Sequence, residues 1–354
     1  SSTSITQVTN TFTSGGNFTR TAQDTIVDQG TQVEAGGNIS QSARVIRDEA
    51  VSDQSYSSES SYSHDARVGA YVGAEASAST DGGAEAGTGY GMKASVEGEN
   101  SDASEQSSTA VTSRFKAGGS IASSSTEKTT LVGTQFEAGE DINIQAGSLD
   151  IQAARDTSSE SSSSQSLSAE VKVGTDGGGV EAEAGMENAS ENSSTARTAS
   201  LNAGGKLNIS TTGDARFEGT ELNSGGDTTI GAGGNVEFAA ARDTASSTSN
   251  NLSLSVSASE DNEGAQSAEG GLEGGLSRSS SNQARTGSIS SGGNVTVTSG
   301  GDTTLQGTQV QSGGDTNLSA GGQVRLEAAE SSSSSVGVQA GIAVEASKDK
   351  EGEE

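Results

Sequence analysis

Cysteine, proline and tryptophan are missing from this 354-residue chain, and aromatic residues make up only 3% of it. Without cysteine there is no thiol nucleophile, and the absence fits a chain exported unfolded and folded outside, where stray thiols are a liability. Hydrophobic residues are also scarce, at 29% with much of that alanine, so a bulky central core of the enzyme kind is not expected. Basic residues number 19 against 48 acidic ones, for a formal net charge of −29. That balance excludes a nucleic-acid backbone as partner and disfavours anionic lipid headgroups. No run of about 18 apolar residues marks a membrane-spanning helix. Ser1 onward lacks a basic-then-apolar secretory leader, so any export signal is expected outside these residues.

By composition alone the chain would be a candidate for disorder. Internal repetition reverses that expectation, because stacked short strands need only one or two inward apolar side chains each. A Gly-Thr followed by Gln or Glu begins at Gly30, Gly133, Gly219 and Gly307, at intervals of 103, 86 and 88 residues. A Gly-Gly pair begins 15 residues earlier in every copy, at Gly15, Gly118, Gly204 and Gly292, and a further turn glycine lies 21 residues beyond it, at Gly36, Gly139, Gly225 and Gly313. Twenty-one residues is read as one coil of a solenoid.

Between the glycines, apolar and polar residues alternate, as in Ile142/Ile144, Leu149/Ile151, Val236/Phe238 and Val295/Val297. Period two predicts strands, and strands this short suit rungs stacked about 4.8 Å apart. The turn glycines are expected to supply positive φ, with the Asn or Asp after them bonding its own backbone. The first copy lacks the third glycine between Ser40 and Asp48, so its second coil is expected to be irregular or shortened.

Each copy then leaves the coil through a Ser-rich stretch such as Thr157 to Gln165, followed by alternating small apolar residues around a Gly-rich turn. In the second copy these are Leu167, Ala169, Val171 and Val173, the turn Gly174 to Gly179, then Val180, Ala182, Ala184 and Met186. Such arms predict a β-hairpin. The first copy is longer, from about Val68 to Val96 with Asp81-Gly82-Gly83 as its turn, and the fourth shows one arm before Lys348 to Glu354. Both ends are therefore expected to be cut from a longer array. Repeats run over about 12–114, 115–200, 201–288 and 289–354, each two coils plus a hairpin insert, the last truncated.

The ordered set of Ala-Gly-Gly-x-Leu-x-Ile coils, Gly-Thr-Gln, the Ala-Ala-Arg-Asp-Thr transition at Ala153 to Thr157 and Ala240 to Thr244, then a Ser run and hairpin, resembles the haemagglutinin repeats of filamentous-haemagglutinin-like exoproteins. That group includes the toxin-delivery proteins of contact-dependent growth inhibition. The resemblance covers nearly the whole chain. It implies an all-β fold, a right-handed parallel β-helix with hairpin inserts protruding from or stacking beside the coils. It also implies two-partner secretion through an outer-membrane transporter to a Gram-negative cell surface. The longer insert looks most like the distal repeat block that precedes the toxin, which is implicated in association with the target-cell outer membrane.

Few residues suggest chemistry. His64, the only histidine, is expected to be a solvated loop residue rather than a base. Arg155/Asp156 and Arg242/Asp243 carry the groups that β-helix polysaccharide lyases and hydrolases use, but their recurrence where coil passes into insert favours a structural role. The Gly-Gly-Asp turns at Asp227, Asp302 and Asp315 lack the middle glycine and nonapeptide period of a calcium β-roll, which leaves turn capping. No phosphate-cradling glycine motif opens a helix. The expectation is thus no catalytic, metal or cofactor site.

The leading functional expectation is a non-catalytic stalk or delivery segment, with the target-cell outer membrane or a surface receptor as partner and no nucleic acid. An adhesin binding cell-surface glycans or matrix, and a carbohydrate-active enzyme, are the alternatives. The hairpins either engage a membrane, their arms approaching the ~9–11 residues of an outer-membrane strand, or stack as a second sheet beside the β-helix with the apolar face buried.

Overall fold

The computed structural model of the chain describes residues 1–78, 84–175 and 177–348, with backbone alone over 73–78 and 84–88. The expected turn at Asp81-Gly82-Gly83 and the last six residues lie outside them. Among the described residues every element is a β-strand. The strands form three parallel eight-stranded sheets and one antiparallel eight-stranded sheet.

The chain visits the parallel sheets in fixed rotation. Thr11–Ser14, Phe18–Thr21 and Thr25–Gln29 lie one in each, and Gln32–Ala35, Ile39–Ala43 and Val45–Glu49 lie directly on them. The rotation continues to Val324–Glu327, an arrangement consistent with a parallel β-helix about 35–40 Å long at ~4.8 Å per strand. The stretch expected to be irregular between Ser40 and Asp48 is instead paired in register on both sides, with a short corner at Arg44 where the second copy has Gly147. A single residue is enough to turn that corner.

Alternation sets the core. Phe115, Ile121, Leu131, Phe136, Ile142 and Ile144 are fully buried, and equivalent positions stack from coil to coil as columns. Phe217 lies on Phe238 with ring centroids 4.4 Å apart and planes 10° apart, and Phe115 meets Phe136 edge-on at 5.2 Å. Such stacking lets a chain with few aromatics close a continuous core.

The glycines act differently from expectation. The Gly-Gly turns of the coils hold no positive φ; in the coils that conformation occurs at the glycine of each Gly-Thr, with φ between 58° and 63° at Gly30, Gly133, Gly219 and Gly307, and in the inserts at Gly177 and Gly264. At the Gly-Gly turns the requirement is space. A Cβ on Gly118 would stand 2.4 Å from the Gly36 carbonyl oxygen, and one on Gly119 would stand 2.0 Å from Asn38 Oδ1. Nor do the Asn and Asp side chains bond their own turn. Asn17 accepts from the Asn38 amide at 2.8 Å, Asn38 from Ser120 at 2.8 Å and Asp141 from Lys206 at 2.6 Å, each reaching the next coil.

Candidate functional surface

The corner between the third and first parallel sheets takes two forms in turn. On alternate coils it is closed by Gly-Thr; on the others the chain leaves for a long antiparallel strand pair and returns. The pairs are Val51–Ala78 with Ala84–Val111, Ala154–Gly174 with Gly177–Arg197, and Ala241–Asp261 with Gln266–Arg285, and Ser332–Lys348 adds a single arm. The arms extend further toward the coil than expected. The Ser-rich stretch from Thr157 to Gln165 is itself strand, paired with Ser194 to Met186, so the whole insert belongs to the sheet. Serine gives no apolar alternation, which is why its strand character is invisible in the pattern.

Neighbouring pairs also hydrogen-bond to one another. Leu167 faces Gly98 on one side and Ala184 on the other, Ala184 faces Leu254, Leu254 faces Leu272, and Leu272 faces Ile342. The insert strands therefore join into one continuous antiparallel sheet. The expectation that this would bury their apolar face fails: Leu167 is 62% exposed, Leu254 47% and Ile342 68%. The opposite face carries Glu170, Glu181 and Glu183 and is likewise open. The result is a single layer with one apolar face and one acidic face.

The base of this sheet is held by a repeated clasp. Asp156 Oδ1 accepts from the Ala110 amide at 2.7 Å and its Oδ2 from Arg197 Nε at 2.6 Å. One copy later, Asp243 accepts from Ala196 N at 2.7 Å and from Arg285 Nε at 2.6 Å. The arginines point the other way, Arg155 donating to the Arg242 carbonyl and Arg242 to that of Glu330. These pairs are thus engaged by protein on both sides, as their recurrence suggested. The clasp has two members that motif reading missed: Asp53 accepts from Gln7 N at 2.6 Å, and Ser331 Oγ from Ala284 N at 2.9 Å. The signal was spacing, since all four lie 23 or 24 residues after the glycine of a Gly-Thr.

The alanine ahead of each Arg is explained by the same corner. A Cβ on Gly133 would stand 2.8 Å from the Ala154 Cβ, and one on Gly219 would stand 2.9 Å from the Ala241 Cβ. Only small side chains pass there.

His64 is not in a loop. It lies within the Val51–Ala78 strand opposite Gly98, exposed, with its ring edge-on to Tyr62 at 4.3 Å and its Nε2 hydrogen-bonded to the Tyr62 hydroxyl. Asp227 and Asp302 cap the next coil, accepting from Asn294 N at 3.0 Å and Gln323 N at 2.8 Å, while Asp315 donates its amide to Asn294 at 2.7 Å. Among the described residues no three acidic or histidine side chains converge as a metal site would require.

One ionisable cluster was missed. In the first coils Asp28 and Asp48 occupy the inward column that Leu131 and Ile151 occupy later. Arg20 forks onto Asp28 at 2.7 and 2.5 Å, and Gln41 passes a hydrogen bond to Ser123 at 2.9 Å. Burial works to raise the Asp28 pKa, but the hydrogen bonds and charge of Arg20 hold it below the usual carboxylate value. Asp48 is fully buried, and neither of its oxygens meets a geometrically satisfied partner. Burial first, then the neighbouring Asp28, pushes its pKa well above the usual carboxylate value.

The hemagglutinin repeat family matches the chain over residues 1–101, 94–256, 186–286 and 268–353. A protein described as "Hemolysin" from Serratia marcescens is 32% identical over 254 residues, which is 68% of this chain and 16% of that relative. The chain is thus similar to about a sixth of a much longer protein. No solved structure matches it.

Proposed function

This chain belongs to the hemagglutinin repeat family, and from that premise we propose that it is a non-catalytic segment of a secreted Gram-negative surface exoprotein, contributing to contact-dependent toxin delivery at the outer membrane of a target cell. In this reading the coils wind as a right-handed parallel β-helix, and each repeat of two coils and one hairpin insert adds a fixed increment of length and of lateral sheet. The partners are the outer-membrane transporter of its own secretion system and the target-cell envelope.

The observation that carries the reading is the corner that alternates between a closed Gly-Thr and an open strand pair. A scaffold for catalysis has no use for a lateral sheet repeated in register, whereas a delivery segment uses both the length and the surface. The repeating ion pairs are held in clasps, which supports a structural part for them.

The test is made in the full secreted protein that carries this chain. Residues 153–199 are replaced by Gly-Thr, the same two-residue corner that joins Val132 to Gln135, which keeps the coil register and shortens the lateral sheet. Normal secretion with lost inhibition of neighbouring cells is the expected result. Unchanged inhibition removes the lateral sheet from delivery, and lost adherence to host cells with inhibition intact favours an adhesin.

A further inference from the structure

Among the described residues, nothing covers the apolar face of the lateral sheet. Strand alternation and the continuous register place Val96, Leu167, Ala184, Leu254, Leu272 and Ile342 on that one face. The same rule sends nearly all of the carboxylates to the other side. Among the described arm residues, only Asp102 and Glu260 fall on the apolar face, one toward the base and one at the tip, while Glu97, Glu170, Glu181, Glu183, Glu269 and Glu273 fall opposite. For a chain of net charge −29, this segregation produces one surface on which like charges need not meet.

The face is large enough to be an interface. Seven long strands at ~4.8 Å and the three rows through Leu167, Ala169 and Val171 at ~6.8 Å give a patch on the order of 700 Å², with a mixed row on either side of it. Exposed apolar patches on monomers run to about 300–600 Å², and a stable interface takes about 800 Å² from each partner. Its texture is also that of an interior. Leu167 stands between Gly98 and Ala184, and Val256 between Ala182 and Gly270, so large side chains alternate with gaps that an identical surface can fill.

We propose that two copies of this chain associate face to face through this surface, forming a two-layer β-sandwich about 10 Å deep with the acidic faces outward. This association is independent of the delivery reading. A lipid bilayer is the weaker occupant on physical grounds. The other face of the sheet is acidic, and the chain has no tryptophan to sit at a membrane boundary.

Sedimentation of the 354-residue chain should give twice the monomer mass of 34.9 kDa, dissociating on dilution. Leu254→Glu should sediment as monomer with an unchanged circular dichroism spectrum, whereas Ser255→Glu, on the opposite face, should remain dimeric. If Leu254→Glu fails to fold, the cysteine-free background allows single Leu254→Cys and Ser255→Cys variants carrying an environment-sensitive dye. The dye at 254 alone should shift to the blue as concentration rises. A wild-type chain that stays monomeric, equal loss of the dimer on both faces, or dye shifts at both positions overturns the proposal. So does a monomer that floats with outer-membrane lipid vesicles, which assigns the face to lipid.

Discussion

Asp243 accepts the backbone amide of Ala196 at 2.7 Å across 47 residues, and the Arg242 next to it donates to the backbone of Glu330, 88 residues on. Adjacent side chains thus tie one insert to the insert before it and to the start of the one after. Removing the acid should loosen the sheet at its base rather than abolish any chemistry. Asp243→Ala is expected to cost about 1–2 kcal/mol, the worth of a partly exposed charge-assisted bond. Asp156→Asn keeps an oxygen for the Ala110 amide and loses only the ion pair to a half-exposed Arg197, so it should stay within about 1 kcal/mol of wild type. Urea unfolding measures both. Abolition of a measured activity by Asp156→Asn with the fold intact would instead identify a catalytic acid.

The core columns make a sharper prediction. Ile144 and Phe238 are each 1% exposed within a core only one side chain thick. Ile144→Asp or Phe238→Asp places a carboxylate there without a partner, and each should cost more than about 4 kcal/mol. Retention of wild-type unfolding midpoints by either variant would mean that these columns do not face inward.

How much of this was legible in the sequence depended on residue type. Ile142 and Ile144 announce a strand because period two and apolar character coincide, and the glycine intervals announce the coil length. The Ser-rich arm from Thr157 to Gln165 announces nothing, since serine is equally at home in strand and loop, and its strand state rests on neighbours on both sides. The inward Asp28 and Asp48 read as solvated charges until their columns are aligned with Leu131 and Ile151. The Gly-Gly turns misled in their physics, because a need for room and a need for positive φ select the same residue.

The buried acid at Asp48 gives the coils at this end a pH dependence of definite sign. Its folded pKa lies above the ~3.9 of an unfolded aspartate, so the folded state holds a proton that the unfolded state releases. Stability from this group is complete below the unfolded value and is lost as pH rises through the folded one. Asp48→Asn should therefore raise the melting temperature at pH 8 while leaving it little changed near pH 4. Asp28→Asn should act oppositely, costing about 3 kcal/mol by leaving Arg20 without its carboxylate. A melting temperature for Asp48→Asn that tracks wild type across this pH range would show that Asp48 ionises freely.

The turn ladder offers a test of the space argument for its glycines. A Cβ on Gly119 would collide with Asn38 Oδ1, a side-chain atom, whereas one on Gly118 would collide with the Gly36 carbonyl, which is backbone. Gly119→Ala should therefore cost about 2 kcal/mol, and Asn38→Ala about 1 kcal/mol for the lost cap on the Ser120 amide. Since the first change strikes the side chain that the second removes, the double variant should cost less than the sum by at least about 0.5 kcal/mol. Gly118→Ala combined with Asn38→Ala has no such relief and should be additive. Additivity in both pairs, measured by urea unfolding, would show that the second glycine is kept for its backbone freedom and not for the room it leaves to the coil beneath.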